Sequence, residues 1–294
     1  MDSEEYLTIT NTYGEVKNYP ISSDNQITRI ESLLRLIENF ISGVYFKKHK
    51  DGLISNKDYL KVIENFSYMD SIFTRIQIFR LLKNDFYSIC LDVIADHKEY
   101  EGFPIPRANS LRLISLYKEY LDNIYNIMEN ISRFNLFYFN RQMAHNFSDQ
   151  CKKIIEGKYN VPSEYINIVK NEMDWYDEIH LIRSNMNHFL IGDYDIQKTK
   201  EGEWIFKYEN INLSSRTPQI EKSYMIRDIL KDVEDLHLFL FLTLKKIFLI
   251  YLKEIGSDSK AYILKYTEEG ICYHELSFKE FISREKGKII ERLD

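Results

Sequence analysis

Arg183 and His188 are the two residues of this chain whose types and spacing suit chemistry on a phosphate ester. They lie in the stretch EIHLIRSNMNHFLIGDY and are separated by four residues. A guanidinium group is always charged and can contact a phosphate through two nitrogens at once. An imidazole has an ordinary pKa of about 6.5, so it can take or give a proton at neutral pH. Together the two groups could cleave RNA without a metal, the histidine accepting the 2′-hydroxyl proton and the arginine stabilising the charged phosphate.

The helical period of this stretch predicts where the two side chains point. Apolar residues recur every three or four positions and form one stripe, which we expect to be buried: Trp175, Ile179, Ile182, Met186 and Phe189. On an ideal helix His188 lies about 140° from the centre of this stripe, and Arg183 lies about 80° from it. Neither residue is therefore predicted to fill the core. Both are predicted to be within reach of a ligand or of a second copy of the chain.

The segment from Arg183 to His188 resembles the motif of the HEPN superfamily (higher eukaryotes and prokaryotes nucleotide-binding), in which an arginine is followed after four to six residues by a histidine. Members of that superfamily are helical bundles and are typically dimeric. Many are metal-independent endoribonucleases of toxin, antiphage and RNA-processing systems. The resemblance covers the six residues of the motif and the helical setting. It implies a site formed by two chains across a two-fold axis, with one arginine and one histidine from each.

Residues around the motif are predicted to support it. Small or polar side chains fill the interval, as they do in the superfamily: Ser184, Asn185 and Asn187. Asparagine is, however, the more usual residue directly after the arginine. Asp177 lies on the same side of the predicted helix as the histidine and is a further supporting residue. Superfamily members paired with a nucleotidyltransferase antitoxin carry a tyrosine two residues after the histidine, where this chain has Leu190. Regulation by modification of that tyrosine is therefore not expected.

A purely structural role for the two motif residues is the alternative interpretation. A histidine near the C-terminal end of a helix is stabilised by the helix dipole. An arginine near the end of a helix commonly pairs with an acidic residue, here Asp177 or Glu178. The sequence alone leaves both interpretations open.

A second pair, Arg141 and His145, occurs in the stretch NRQMAHNF. The two residues are four positions apart, so their side chains would share one face of a helix. That spacing does not fit the superfamily motif. We interpret the pair as structural, with a contact to flanking RNA as the alternative.

Other kinds of site are not predicted. The chain has no Gly-rich phosphate loop, no GxSxG motif and no Cys or His pair at zinc-finger or HExxH spacing. Acidic pairs such as Asp177-Glu178 and Glu268-Glu269 are interpreted as solvated charges rather than as a catalytic dyad. We therefore expect neither a cofactor nor a metal.

Charge and cysteine content narrow the class of protein. A formal net charge of −6 argues against a protein that coats phosphates generally, although it is compatible with a local basic groove. Cys90, Cys151 and Cys272 are far apart and predict reduced, buried thiols in a cytosolic protein. The N-terminus is too polar for a secretory signal, and two lysines interrupt the apolar run at 236–252. We expect a cytoplasmic protein that has no membrane partner.

Proline and glycine residues divide the chain into predicted helical segments: 24–49, 55–99, 108–155, 163–190 and 218–255. The second and third segments would each be roughly 65–70 Å long if straight, so we expect a kink or break in each, with RFNLFYFN as one such place. Residues 194–214 and 261–277 alternate as β-hairpins do, and a short helix follows the second. The prediction is a mostly α protein, a multi-helix bundle in a single domain over 1–294. Its core bundle spans about 24–255 and its small β/α appendage about 260–294.

Two functions compete on this sequence. The first is a HEPN-like endoribonuclease, or an inactive relative, of a bacterial toxin or antiphage system. Its expected partners are RNA, a second copy of the chain and an antitoxin or another defence protein. The alternative is a non-enzymatic helical module that binds other proteins. A small-ligand sensor is a third interpretation, which no specific residue favours.

Overall fold

The structure of the protein is a computed structural model that describes residues 6–10, 16–20, 22–99, 107–139, 142–188, 192–200, 202, 204–211, 224–256, 258–267, 270–281 and 283. The fold is mostly helical and carries small antiparallel sheets of two or three strands. The predicted fold class is therefore confirmed.

The helices alternate with three small groups of strands. The helices are α1 (Ser22–Lys50), α2 (Asn56–Glu99), α3 (Arg107–Tyr138), α4 (Phe147–Ile155), α5 (Ser163–Asn171), α6 (Asp174–His188) and α7 (Ile229–Ile255). The strands are β1 (Tyr6–Thr10), β2 (Val16–Pro20), β3 (Asp193–Lys198), β4 (Trp204–Ile211), β5 (Tyr224–Asp228), β6 (Lys260–Thr267) and β7 (Gly270–Ser277). Helical residues begin again at Phe278.

The two predicted hairpins are confirmed as β3–β4 and β6–β7. Strand β5 adds to the first of them and gives the antiparallel order β3-β4-β5. Neither β5 nor the β1–β2 hairpin was predicted from the sequence.

Some predicted helical segments differ from the structure. The first two agree with α1 and α2 to within two residues, and α2 is not broken. The third segment ends at Tyr138, within the predicted aromatic stretch, and resumes as α4. There Asn146 caps the new helix by accepting a hydrogen bond from the backbone N–H of Asp149 at 2.7 Å.

The fourth predicted segment is in fact two helices, α5 and α6. The chain leaves the helix at Glu172 and Met173, but Met173 is buried, so the apolar period continues across the break. The fifth segment begins only at Ile229, because the preceding residues pair with β4 as β5, with Asp228 opposite Lys207. The helix start predicted at residues 217–218 lies outside the described residues.

The chain divides into two compact units, each assembled from three stretches. The first unit comprises Met1–Ser22, Thr74–Ile127 and Met173–Phe239. The second comprises Ser23–Phe73, Met128–Glu172 and Leu240–Asp294. Helices α2, α3 and α7 each contribute residues to both units. The single domain over 1–294 stays a prediction.

In the first unit, buried polar contacts fix α3 to α7. The hydroxyl of Tyr120 donates to the carbonyl oxygen of Val233 at 2.5 Å. The hydroxyl of Tyr117 donates to Asp232, which also accepts two hydrogen bonds from the guanidinium of Arg227 at 2.9 and 2.7 Å. Because burial leaves these polar groups no water, each needs such a partner, and the pairing fixes the register of the two helices.

In the second unit, Asn135 lies at the centre of a buried hydrogen-bond network. Its amide nitrogen donates to Gln150 at 2.9 Å and to the hydroxyl of Tyr165 at 2.6 Å. Its carbonyl oxygen accepts from the hydroxyl of Tyr251 at 2.6 Å. These four side chains lie on α3, α4, α5 and α7, and they are all buried. One asparagine therefore joins four helices.

Two further expectations concern thiols and membranes. The three cysteines are free, but Cys272 is exposed and Cys151 is half-buried, so the prediction of buried thiols holds only for Cys90. Within the described ranges, no helix is long and apolar enough to cross a bilayer.

Candidate active site on helix α6

Helix α6 buries one face in the first unit. Ile179, Ile182 and Met186 are buried, as the helical period predicted. At the start of the helix the prediction was wrong, because Tyr176 is buried while the adjacent Trp175 is only half-buried. Phe189, the last residue of the predicted stripe, lies outside the described residues.

His188 is the last residue of α6 and is exposed to solvent. Within the described part of the chain, it makes no hydrogen bond with Arg183. This agrees with their five-residue separation, which points the two side chains about 140° apart on the helix. At this position the imidazole is accessible to a ligand or to a second protein copy.

Arg183 is fixed by two residues of α3. Its Nε atom donates a hydrogen bond to Oδ1 of Asp122 at 2.7 Å, and its side chain is 24% exposed. Its guanidinium carbon lies 4.1 Å from the centre of the Tyr125 ring, which is a cation–π contact. Neither terminal nitrogen donates a hydrogen bond to a described residue. The guanidinium is thus held by one edge and one face, and its outer edge is available.

Asp122 is the acceptor for three side chains. Besides Arg183, it accepts a hydrogen bond from the amine of Lys118 at 2.6 Å and from the amide of Asn187 at 3.2 Å. Burial by itself would raise the pKa of Asp122, but the hydrogen bonds from Lys118, Arg183 and Asn187 outweigh it and lower the pKa. The carboxylate is therefore charged at neutral pH, and it sets the position of the arginine.

His180 is a residue of this site that was not predicted from the sequence. Its ring stacks against Tyr125 at 5.6 Å between centroids and against Tyr176 at 6.0 Å. Burial and the charge of Arg183 lower the pKa of His180, and Asp177 opposes them. The three-residue spacing from His180 to Arg183 places both on one face of α6, and that spacing was readable from the sequence.

The predicted supporting residues take different positions. Asn187 joins the Asp122 cluster, whereas Asp177 lies beside His180 and burial raises the pKa of its carboxyl group. Ser184 is half-buried. Asn185 is buried, and its amide nitrogen has no hydrogen-bond partner among the described residues. It therefore faces the interior rather than the surface between the two motif residues.

The second predicted pair belongs to the other unit. His145 contacts Arg133, with 2.7 Å between Nδ1 and a guanidinium nitrogen, and its backbone oxygen accepts a hydrogen bond from Ser132 at 2.9 Å. Arg141 lies outside the described residues. The structural interpretation of His145 agrees with these contacts.

Neither the metal-binding potential of the described residues nor a comparison with known proteins indicates a further role for this site. Across the residues described, no three His, Cys, Asp or Glu side chains are grouped so that they could hold a metal ion. No protein-family model, curated protein or solved structure matches this chain.

Proposed function

We propose that this protein is a HEPN-like, metal-independent endoribonuclease, with Arg183 as the phosphate-binding residue and His188 as the general base. The observation that carries the proposal is the geometry of Arg183. Asp122 and Tyr125 hold its Nε edge and its face, and neither terminal nitrogen donates a hydrogen bond to any residue that the structure describes. An arginine held in this way is preorganised for a two-nitrogen contact with a phosphate, because little freedom is lost when the phosphate binds.

In the proposed reaction the 2′-oxygen of a ribose attacks the adjacent phosphorus atom. His188 accepts the 2′-hydroxyl proton, and Arg183 stabilises the charge that develops on the phosphate oxygens. The bond from phosphorus to the 5′-oxygen breaks, and that oxygen takes a proton from a second, protonated histidine. The products are an RNA that ends in a 2′,3′-cyclic phosphate and an RNA that begins with a 5′-hydroxyl.

The second histidine would come from a second copy of the chain. Residues five positions apart on a helix diverge by about 140°, so one chain supplies half of a site. The exposure of His188 at the end of α6 supports a homodimer in which two such helix ends meet. We further propose that the protein acts in the cytoplasm, in a bacterial toxin or antiphage system with an antitoxin or another defence protein as its partner.

The test is an RNA cleavage assay with the purified full-length protein in EDTA. We expect cleavage of single-stranded RNA to give 2′,3′-cyclic phosphate ends. His188→Ala and Arg183→Lys should each lose most of the activity, because an ammonium group cannot make the two-pronged contact of a guanidinium. Matched controls are His274→Ala and Arg112→Lys, which change exposed residues that are not part of α6.

Activity that persists in both site variants would reject the site. Wild-type protein without activity would reject the ribonuclease proposal, and the non-enzymatic protein-binding module would then be the better interpretation.

A further inference from the structure

The chain turns from α1 to α2 through a strongly basic segment, residues 47–61, which we name the α1–α2 corner. The corner contains five lysines and two aspartates, a formal charge of +3 in a chain whose net charge is −6. Helix α1 ends in consecutive basic residues, Lys47 to Lys50, and Lys57 lies at the start of α2. The whole corner belongs to the second unit.

A cleft of about 530 Å³ opens at this corner, and its volume is in the range that holds a small ligand such as one nucleotide. Its wall combines amines with groups that accept hydrogen bonds: Lys47, Lys48, Asp51, Asp258, Ser259 and Lys260. Leu53 also lines the cleft and is 72% exposed, so an apolar surface is available beside the charged one.

Lys47 is the structural lysine of the corner. Its amine lies 2.7 Å from the carboxylate of Asp51 and 2.9 Å from that of Glu275 on β7. Its side chain is only 17% exposed, and its charge is balanced by these two partners. Lys47 therefore shapes the cleft wall but adds little free positive charge.

Three other lysines of the corner are exposed and uncompensated. Lys48, Lys50 and Lys57 have no carboxylate partner among the described residues. The amine of Lys48 lies 5.3 Å from the centre of the Tyr45 ring, and that of Lys50 lies 5.5 Å from the Phe46 ring. Such cation–π contacts restrict the long side chains without neutralising them. Each of the three lysines therefore keeps a positive charge that a polyanion can contact.

We propose that the α1–α2 corner binds the phosphate backbone of single-stranded RNA and that the cleft receives one of its nucleotides. Lys48, Lys50 and Lys57 contact phosphates, and Leu53 packs against a base. The carboxylates and the hydroxyl in the cleft accept hydrogen bonds from base edges and from the 2′-hydroxyl. An unpaired strand is needed, because a base within a duplex cannot enter the cleft. The proposal rests on the proposed ribonuclease function, for which the corner holds the substrate.

The experiment measures the binding of a fluorescein-labelled oligouridine by fluorescence anisotropy between 50 and 300 mM KCl. The full-length protein carries His188→Ala so that the probe stays intact. The test variant additionally carries Lys48→Gln, Lys50→Gln and Lys57→Gln. We expect its Kd to rise at least about tenfold. We expect the slope of log Kd against log salt to fall by about 2, since each contact to a single strand contributes about 0.7.

The matched control removes the same charge elsewhere in the second unit, through Lys152→Gln, Lys153→Gln and Lys170→Gln on α4 and α5. We expect its Kd to stay within about threefold of the parent and its salt slope to stay unchanged. If both triple variants have the same melting temperature as the parent protein, their fold is intact.

Equal losses in the test and control variants would overturn the proposal, because binding would then follow net charge alone. It would also be overturned if the parent bound phosphatidylserine vesicles but not RNA, since the corner would then be a lipid surface. Cleavage by a triple variant that binds RNA normally would reject the corner and leave the ribonuclease proposal standing. If RNA binding depends on the corner lysines but the wild type does not cleave RNA, the corner is supported and the ribonuclease proposal is rejected.

Discussion

Oδ1 of Asp122 lies 2.7 Å from Nε of Arg183, so a carboxylate on α3 sets the position of the arginine on α6. We expect Asp122→Ala to lower kcat/KM for RNA cleavage by about tenfold to a hundredfold, because a displaced catalytic group loses much of its effect. Lys118→Gln is the matched control, since it removes another partner of the same carboxylate and leaves Arg183 in place. An unchanged kcat/KM in Asp122→Ala would exclude a positioning role.

His180 should titrate below the ordinary histidine value of 6.5, because burial and Arg183 lower its pKa. When folding lowers the pKa of a group, that group stabilises the fold fully at pH values above its unfolded-state pKa. This stabilisation is lost as the pH falls toward its folded-state pKa. We therefore expect wild type to lose stability from pH 7 to pH 5 more steeply than His180→Phe does, measured by urea unfolding.

The same histidine offers a direct spectroscopic test. Arg183→Gln removes a nearby positive charge, so the pKa of His180 should rise toward 6.5 in an NMR titration of the imidazole signals. A His180 pKa that stays the same in this variant would contradict the electrostatic contact between the two residues.

The stability lost on substitution along α6 should follow the burial of each side chain rather than its size. Ile179 is buried, so we expect Ile179→Ala to lower the free energy of unfolding by about 2–5 kcal/mol. Trp175 is only half-buried, so Trp175→Ala should cost less, about 1–2 kcal/mol, despite removing the larger side chain. Chemical denaturation of the two variants measures the difference. The reverse order would mean that the helix faces the core differently.

Gly192 is expected to tolerate no side chain. Its φ is +86°, and a Cβ would lie 2.6 Å from the ring of Tyr208 and 2.8 Å from the backbone oxygen of Glu209. Gly192→Ala should therefore lower the melting temperature more than Gly52→Ala, where φ is +71° and a Cβ would meet nothing within 4 Å. Backbone strain of about 1–3 kcal/mol is common to both, so the difference isolates the steric clash. Equal melting temperatures would show that the clash is relieved.

We expect a homodimer in which the two His188 side chains lie near the two-fold axis. Sedimentation should give a dimer at micromolar concentration. His188→Glu should shift it toward monomer, because two like charges would face each other across the axis. His274→Glu is the control, since it introduces the same charge at another exposed position. A wild type that sediments as a monomer would argue against the composite site.

The sequence predicted the burial of α6 well, because helical period is a local property. It placed Ile179, Ile182 and Met186 in the core and His188 outside it. It chose Trp175 over Tyr176 because adjacent aromatic residues fit an apolar stripe almost equally well at the end of a helix. Which of the two residues is buried depends on the neighbouring helices, and the helical period carries no information about them.

The residue that positions Arg183 was not predictable in the same way. Asp122 precedes the arginine by 61 positions, on another helix. Helical spacing indicates only partners within one or two turns of the same helix, which here are Asp177 and Glu178. In the structure Glu178 pairs with Arg227, at 2.6 Å, instead. Pairing across helices is decided by packing, and a single sequence carries no direct record of it.

The interleaving of the two compact units has a consequence for synthesis on the ribosome. Neither unit is a continuous piece of chain, so neither can finish folding as soon as its first stretch emerges. Ser23–Phe73 has to wait until Leu240–Asp294 is translated, which takes roughly 10–45 s at about 5–20 residues per second. During that wait the apolar faces of α1 and of the start of α2 lack their final covering. Nascent chains that expose such apolar faces are the ones that chaperones bind.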